Sequence, residues 1–247
     1  MARSIALAAL TVLELTPPQM VDCAARAGYS HVGLRLIPAT LTEPQHDTVG
    51  DTAVIRDVRA RLADTGVRVL DIEILRLKPD TDVHDFLPVL ETAARLGARN
   101  ALVAGNDPDE ARLIDNLGAL CDLAAPFGIA PCVEPMPWTD IRNFAQGVRI
   151  VRAVARSNLG LLIDPIHFDR GGSVAAEIAQ VPTAWLRYAQ LCDAPAARPT
   201  DTDTLLLQAR AERLLPGDGG LDLSGILRAL PADTPLGLEI PMATLAR

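Results

Sequence analysis

The chain has 247 residues, of which 49% are hydrophobic, 22% are charged and 3% are aromatic, and its formal net charge is −8. This length allows one large hydrophobic core, so we expect a single domain over residues 1–247. The negative charge and the lack of a basic run with interleaved aromatic residues argue against nucleic acid and anionic membranes as partners.

The first segment, residues 1–15, has two interpretations. One arginine precedes about nine mostly apolar residues, as in a secretory signal, but Glu14 interrupts the run and no convincing cleavage site follows. The segment is in phase with later strands, so we expect a first strand instead. No other segment approaches the ~18 apolar residues of a membrane span. The four cysteines lack CxxC pairing, which predicts buried, reduced thiols in a cytoplasmic protein.

Short apolar runs alternate with helix-like stretches along the chain. The predicted helices at 17–28, 52–66, 82–97 and 109–128 each end on glycine, the usual left-handed cap. A βα unit of roughly thirty residues repeated eight times predicts a (β/α)8 TIM barrel. The alternative is an open, doubly wound sheet, although no GxGxxG or GxxxxGK[ST] motif follows the first strand. The eight predicted strands begin near Ser4, His31, Val67, Arg99, Ile129, Asn158, Leu186 and Pro235.

The last two connections of the predicted barrel are unusual. The seventh, residues 193–223, is long, and its expected place on the catalytic face predicts a segment that covers the substrate. Only IPMATLAR follows Glu239, so the barrel lacks a full final helix. The apolar flank left open predicts either a partner subunit in a homo-oligomer or a truncated chain.

Four successive apolar runs each end on a side chain that carries an oxygen atom. A charge at the end of a strand buried on both faces must be solvated, paired or bound to a metal ion. The carboxyl ends of barrel strands converge, so the pattern predicts a cation site; strand-end caps or ion pairs are the alternative. The residues are Glu134 in IAPCVEPMP, Asp164 in LGLLIDPIHF, Gln190 in LRYAQLCDAP and Glu239 in PLGLEIP.

The stretches VEPMPW, LIDPIHF, QLCDAP, RLLPGDGGLDL and GLEIP, in this order, resemble the xylose isomerase-like TIM-barrel superfamily. That superfamily includes sugar isomerases and epimerases, hydroxypyruvate isomerase, inosose dehydratase and 3-dehydroshikimate dehydratase. Gln190 stands where ketose 3-epimerases have histidine, so the chain is more similar to the hydroxypyruvate isomerase and 3-dehydroshikimate dehydratase branches. The resemblance implies a divalent cation held by Glu134, Asp164, Gln190 and Glu239.

Three carboxylates and an amide oxygen form a hard, oxygen-only ligand set, which suits one Mn2+, Mg2+ or Co2+ ion better than Zn2+. Such an ion would polarise a substrate carbonyl and stabilise an enediolate while a carboxylate removes the adjacent proton. Glu134 and Glu239 are the expected catalytic residues, one acting as the base and the other as the acid.

Several further residues are candidates for the substrate site. His167 matches a histidine near the metal in relatives, which implies substrate binding or proton transfer; a loop histidine bonded to backbone is the alternative. Relatives with the long seventh connection bind substrate through an arginine, and we expect Arg210 in this role and a solvated Arg213.

Two candidates come from other strands. Glu73 is expected to bind a substrate hydroxyl, with a contact to Arg76 as the alternative. Trp138 is expected to form an apolar wall beside the substrate, or to pack in the core. The remaining histidines are expected to be surface or structural residues; they are His31, His46 and His84.

The sequence predicts a metal-dependent isomerase or epimerase of a small, sugar-like hydroxy-carbonyl compound, acting through an enediolate in carbohydrate metabolism. The first alternative is a dehydratase (lyase) of a cyclic polyhydroxy ketone such as 3-dehydroshikimate or inosose. The second is a non-catalytic ligand-binding or assembly subunit. Endonuclease IV shares this barrel, but its histidine-rich trinuclear zinc site and basic face do not match four histidines and a charge of −8.

Overall fold

The computed structural model describes residues 3–40 and 42–244, and it contains a closed barrel of eight parallel strands in chain order. The barrel closes where the first strand pairs with the eighth, with Ile5 opposite Leu236 and Leu7 opposite Leu238. This closure confirms the TIM barrel and rejects the open, doubly wound sheet. The strands are β1 (Ile5–Leu7), β2 (His31–Arg35), β3 (Arg68–Leu77), β4 (Asn100–Gly105), β5 (Ala130–Val133), β6 (Gly160–Ile163), β7 (Leu186–Leu191) and β8 (Leu236–Leu238).

Helices connect the strands, and their ends follow the capping residues of the sequence. The Thr52 hydroxyl accepts a hydrogen bond from the Ile55 amide, and the left-handed Gly66 (φ 74°) ends the same helix. The α-helices are α1 (Pro17–Arg26), α2 (Ala53–Thr65), α3 (Leu87–Arg95), α4 (Glu110–Ala124), α5 (Phe144–Val154), α6 (Pro165–Arg170), α7 (Ala175–Ile178), α8 (Thr202–Ala211) and α9 (Leu223–Ala229).

Two of the predicted helices are divided between helix types. The segment predicted at 82–97 begins as a 3-10 turn at Val83–Phe86 before α3. The segment predicted at 109–128 is α4 followed by a 3-10 turn at Ala125–Phe127, since Pro126 has no amide hydrogen with which to continue the α-helical pattern. Further 3-10 turns lie at Ala9–Val12 and Thr183–Trp185.

The hydrophobic core has two main layers, and a third, smaller cluster includes Ile166, Cys192 and Leu221. A large layer between the barrel and its helices contains mostly aliphatic side chains from both. A smaller layer fills the barrel itself and includes Leu70, Leu102, Leu162 and Tyr188. The Tyr188 hydroxyl donates to the Asp71 carboxylate at 3.0 Å, so the barrel floor is a packed, partly polar layer and not a pore.

The segment after β8 packs against the long seventh connection. The amide of Arg213 donates to the Pro241 carbonyl at 3.1 Å, and the amide of Ala243 donates to the Ala211 carbonyl at 2.8 Å. Within the described residues no helix follows β8 as far as Thr244; Leu245–Arg247 lie outside them. Among the helices that are described, none is long and apolar enough to cross a membrane.

Candidate metal centre

All four predicted metal ligands lie at the carboxyl end of the barrel. Glu134 and Asp164 directly follow β5 and β6, Gln190 lies near the end of β7, and Glu239 follows β8. Each is at most 4% exposed. Parallel strands in one barrel end on one face, and this is why residues more than one hundred positions apart share a site.

Glu134, Asp164 and His167 form the group best placed to hold a cation. One ligand atom from each lies within 4.8 Å of the others. The His167 Nε2 atom lies 3.8 Å from Glu134 Oε1 and 3.9 Å from Asp164 Oδ2. Asp164 also caps α6 by accepting a hydrogen bond from the Ile166 amide at 2.9 Å, so the cap brings His167 into the site.

Two oxygen atoms in the site have no hydrogen-bond partner within the described chain. They are Glu134 Oε1 and Gln190 Oε1, and both are buried. Buried polar atoms are normally hydrogen-bonded, and carboxylate and amide oxygens are ligands of hard divalent cations. Glu134, Asp164 and His167 therefore fit a divalent cation through two carboxylates and an imidazole, and Gln190 offers an unpaired amide oxygen. Both oxygens of Glu239 instead contact side chains of the protein.

Arg213 provides a buried positive charge at the centre. Its guanidinium donates to Asp164 Oδ2 at 2.5 Å and lies 2.8 Å from Glu239 Oε2. Its Nε atom donates to the Ala209 carbonyl at 2.7 Å. Glu239 Oε1 accepts a further hydrogen bond from Gln190 Nε2 at 2.9 Å, so the Glu239 carboxylate is engaged on both oxygens.

The expectation of a solvated Arg213 is wrong, because this side chain is only 1% exposed. Its partners lie 49 and 26 residues away and meet it only in the folded barrel. Arg213 and Arg210 are three residues apart and would share one face of a helix, so the sequence pattern does not indicate that Arg213 is buried and Arg210 exposed. The one local signal is its position between the end of α8 and the Pro-Gly-rich stretch that follows.

The pKa values reflect burial and crowded carboxylates. Burial, then the charges of Asp164 and Glu239, raise the pKa of Glu134 well above its usual value. Burial raises the pKa of Glu239 to about 8, against the opposing charge of Arg213. Burial also acts to raise the pKa of Asp164, but Arg213 and His167 outweigh it and leave a net lowering. Burial lowers the pKa of His167 to about 4, so this imidazole is neutral near pH 7.

A cavity of about 290 Å3 opens onto the centre and is lined by Glu134, His167 and Glu239 among others. Trp138 and Arg210 also line it. The Trp138 ring packs edge-on against His167 with centroids 4.9 Å apart, and the Arg210 guanidinium lies 5.7 Å from the Trp138 centroid. The structure thus places Trp138 and Arg210, two of the three predicted substrate-binding residues, beside the candidate metal centre.

Glu73 is set back from this cavity. Its side chain is fully buried, and its Oε2 atom pairs with Arg35 at 3.1 Å, so the alternative contact with Arg76 is not formed. Arg35 pairs with Glu43 at 2.8 Å and itself lines the cavity. The cavity wall therefore contains the Arg35 guanidinium, whereas the sequence predicted the Glu73 carboxylate there.

The seventh connection contributes Ala209, Arg210 and Arg213 to the cavity wall. Asp193 organises its second half, since its carboxylate accepts hydrogen bonds from the amides of Gly217, Gly219 and Leu221 at 3.0–3.1 Å. A Cβ atom at Gly219 would collide with this carboxylate. Sequence reasoning missed Asp193, which lies two residues after the end of β7 and 24 residues before Gly217, so no local pattern links it to the glycine-rich turn.

The sequence matches the family described as xylose isomerase-like TIM barrel over residues 21–246. The chain belongs to this family. The match confirms the resemblance drawn from the strand-end motifs.

Curated relatives include two kinds of enzyme. A 3-dehydroshikimate dehydratase from Pseudomonas aeruginosa is 28% identical over 256 aligned positions, which cover 97% of this chain and 38% of the relative. An inosose isomerase from Bacillus subtilis is 27% identical over 158 positions, which cover 60% of this chain and 55% of the relative. The chain thus spans about two-fifths to one-half of the length of these relatives.

Solved structures of other proteins share the fold. The IOLI protein, crystallised with a bound zinc atom, superposes with a TM-score of 0.78 at 19% identity over 98% of this chain and 91% of that one. The probable 3-DHS dehydratase AsbF from Bacillus anthracis gives a TM-score of 0.76 at 15% identity over 97% of this chain and 92% of that one.

Proposed function

We propose that this protein is a divalent-metal-dependent enzyme that moves a proton next to the carbonyl group of a small polyhydroxylated compound. The observation that carries the proposal is the meeting of Glu134, Asp164 and His167 around a buried space, with free oxygens on Glu134 and Gln190. Burying polar atoms without hydrogen-bond partners destabilises the folded protein, and a bound cation would offset this cost.

The proposed ligands are Glu134, Asp164, Gln190 and Glu239, with His167 as a further donor. When bound, Mn2+, Mg2+ or Co2+ supplies Lewis-acid polarisation of the substrate carbonyl. Glu134 and Glu239 are the proposed catalytic pair, one as base and the other as acid, because they follow different strands and both line the cavity. The neutral His167 imidazole is able to bind the cation or a polar group of the substrate, whereas its pKa of about 4 makes it a weak base near pH 7.

The fate of the resulting enediolate decides the reaction. Protonation at the neighbouring carbon, or at the same carbon from the other face, gives an isomerase or epimerase, which we propose first. Loss of a β-hydroxyl gives a dehydratase. One observation favours this second candidate: the 3-dehydroshikimate dehydratase aligns over 97% of the chain, whereas the inosose isomerase aligns over 60%.

Solvent deuterium exchange tests the shared step before either outcome. The Mn2+-loaded protein is incubated in D2O with hydroxypyruvate, D-fructose, inosose and 3-dehydroshikimate, and proton NMR follows the carbon next to each carbonyl. We expect exchange with at least one compound, loss of exchange in Glu134→Gln, and retention in Glu91→Gln, an exposed control on α3. Product spectra then separate isomers and epimers from a dehydrated ring.

Absence of exchange and of product with every compound would contradict the enzyme proposal. A barrel that still binds one of these compounds would then be the ligand-binding subunit considered as an alternative.

A further inference from the structure

Four arginines line the cavity: Arg35, Arg76, Arg210 and Arg213. Two of them form salt bridges with carboxylates. Arg213 pairs with Asp164 and Glu239, and Arg35 pairs with Glu43 and Glu73.

Arg76 and Arg210 have no such partner. Arg76 Nη1 donates to the neutral Asn106 side chain at 3.0 Å, and Arg210 lies over the Trp138 ring. Across residues 3–40 and 42–244, neither guanidinium forms a salt bridge with a carboxylate. Both cations nevertheless line the cavity that contains the candidate metal centre.

The electrostatic environment of Arg76 agrees with this lack of partners. Burial lowers the pKa of Arg76, and the positive charges of Arg210 and Arg35 lower it further. Glu134 and Glu43 act in the opposite direction but do not outweigh these effects. A half-buried guanidinium near two others is stabilised by any anion that enters the cavity.

We propose that Arg76 and Arg210 bind a carboxylate group of the substrate, so that the enzyme acts on an acidic hydroxy-ketone and not on a neutral sugar. The inference rests on the proposed function, because it takes the same cavity as the substrate site. Guanidinium groups bind carboxylates through paired, charge-assisted hydrogen bonds. The cavity is small, about 290 Å3, and a planar carboxylate needs less room than a phosphate.

Binding is measured by titration calorimetry on the Mn2+-loaded protein with two matched pairs of probes. Shikimate and its methyl ester differ in the carboxylate charge, and D-fructose 6-phosphate and D-fructose differ in a phosphate. The proteins are the wild type, Arg76→Gln, Arg210→Gln and the control Arg59→Gln, whose side chain is exposed on α2. Circular dichroism checks that each variant is folded.

We expect shikimate to bind about tenfold or more tightly than its methyl ester, and this preference to fall about tenfold in Arg76→Gln and less in the exposed Arg210→Gln. The control keeps the wild-type preference. Equal binding of acid and ester, or a preference that survives in both variants, would overturn the inference. Tighter binding of D-fructose 6-phosphate than of D-fructose, without a difference between shikimate and its ester, would also overturn it and would indicate a phosphorylated substrate.

Failure here is distinguishable from failure of the proposed function. Proton exchange without a preference for the charged ligand would support the enzyme proposal and contradict the inference that the substrate carries a carboxylate. A charge preference lost in Arg76→Gln, without exchange in any compound, would support the anion site while contradicting the catalytic proposal.

Discussion

Arg213 Nη1 lies 2.5 Å from Asp164 Oδ2, and both side chains are at most 1% exposed. The pair joins the seventh connection to the carboxyl end of β6. Because the same guanidinium reaches Glu239, it also joins that connection to the end of β8. One arginine therefore links the segment that covers the cavity to two of the proposed ligands.

Replacement of Arg213 by methionine leaves Asp164 and Glu239 buried without their cationic partner. We expect Arg213→Met to lower the free energy of unfolding of the metal-free protein by about 3–5 kcal/mol, the usual cost of breaking a buried pair. Urea denaturation measures the loss. Arg210→Met is the matched control and should stay within about 0.5 kcal/mol of the wild type, because Arg210 is exposed. Equal stability of the two variants would contradict this role of Arg213.

Asp193 should stabilise the turn that follows α8. In Asp193→Asn the Nδ2 group cannot accept hydrogen bonds from the Gly217 and Gly219 amides, which Asp193 Oδ2 accepts in the wild type. We expect a loss of about 1.5–3 kcal/mol in the free energy of unfolding. The exposed Asp218→Asn in the same turn should change little. Amide hydrogens of Gly217 and Gly219 should exchange rapidly with solvent in Asp193→Asn but not in Asp218→Asn.

The contribution of Asp193 should depend on pH. Burial acts to raise its pKa, but the backbone amides outweigh burial and lower it below the usual value. An acid with a lowered pKa in the folded state stabilises the protein above its unfolded pKa, near 4, and loses this contribution as the pH falls through the folded value. The stability difference between the wild type and Asp193→Asn should therefore shrink below about pH 4. A difference in the free energy of unfolding that stays constant with pH would show that the charge of Asp193 does not stabilise the turn.

Only one of the four cysteines should react rapidly with a thiol reagent at about pH 8. Burial raises the pKa of Cys121 to about 12 and also raises the pKa values of Cys132 and Cys192, so these groups remain protonated and inaccessible. Cys23, on α1, is only half-buried. Ellman's reagent should detect one fast thiol in the folded wild type, none in Cys23→Ser, and all four in the denatured wild type. A second fast thiol in the folded protein would contradict the packing described.

The barrel and the positions of its ligands could be predicted because both follow from local pattern. Apolar runs, glycine caps and a regular repeat indicate the strands and helices, and a polar residue such as Glu134 at the end of a buried strand marks the catalytic face. The structure confirms the closed barrel and brings Glu134, Asp164, Gln190 and Glu239 to that face.

Long-range pairing between charged side chains could not be predicted in this way. Arg35 pairs with Glu73 on β3, and Arg213 pairs with Asp164 after β6. No sequence spacing indicates these contacts. The pairing of β3 with its neighbours is also irregular, with register shifts opposite Val32–Gly33 and between Ile72 and Leu75. Simple alternation is therefore an incomplete guide to which β3 side chains reach the cavity.

The most direct test of the central claim is the metal content of the protein after treatment with EDTA, reloading with Mn2+ and removal of free ions. Elemental analysis should give about one Mn2+ per chain in the wild type and in Glu91→Gln, and much less in Glu134→Gln. Glu134→Gln is a sharp comparison because it preserves side-chain size and removes a carboxylate whose Oε1 has no hydrogen-bond partner in the described chain. No bound Mn2+ in the wild type, or equal amounts in all three proteins, would contradict a metal centre at Glu134, Asp164 and His167.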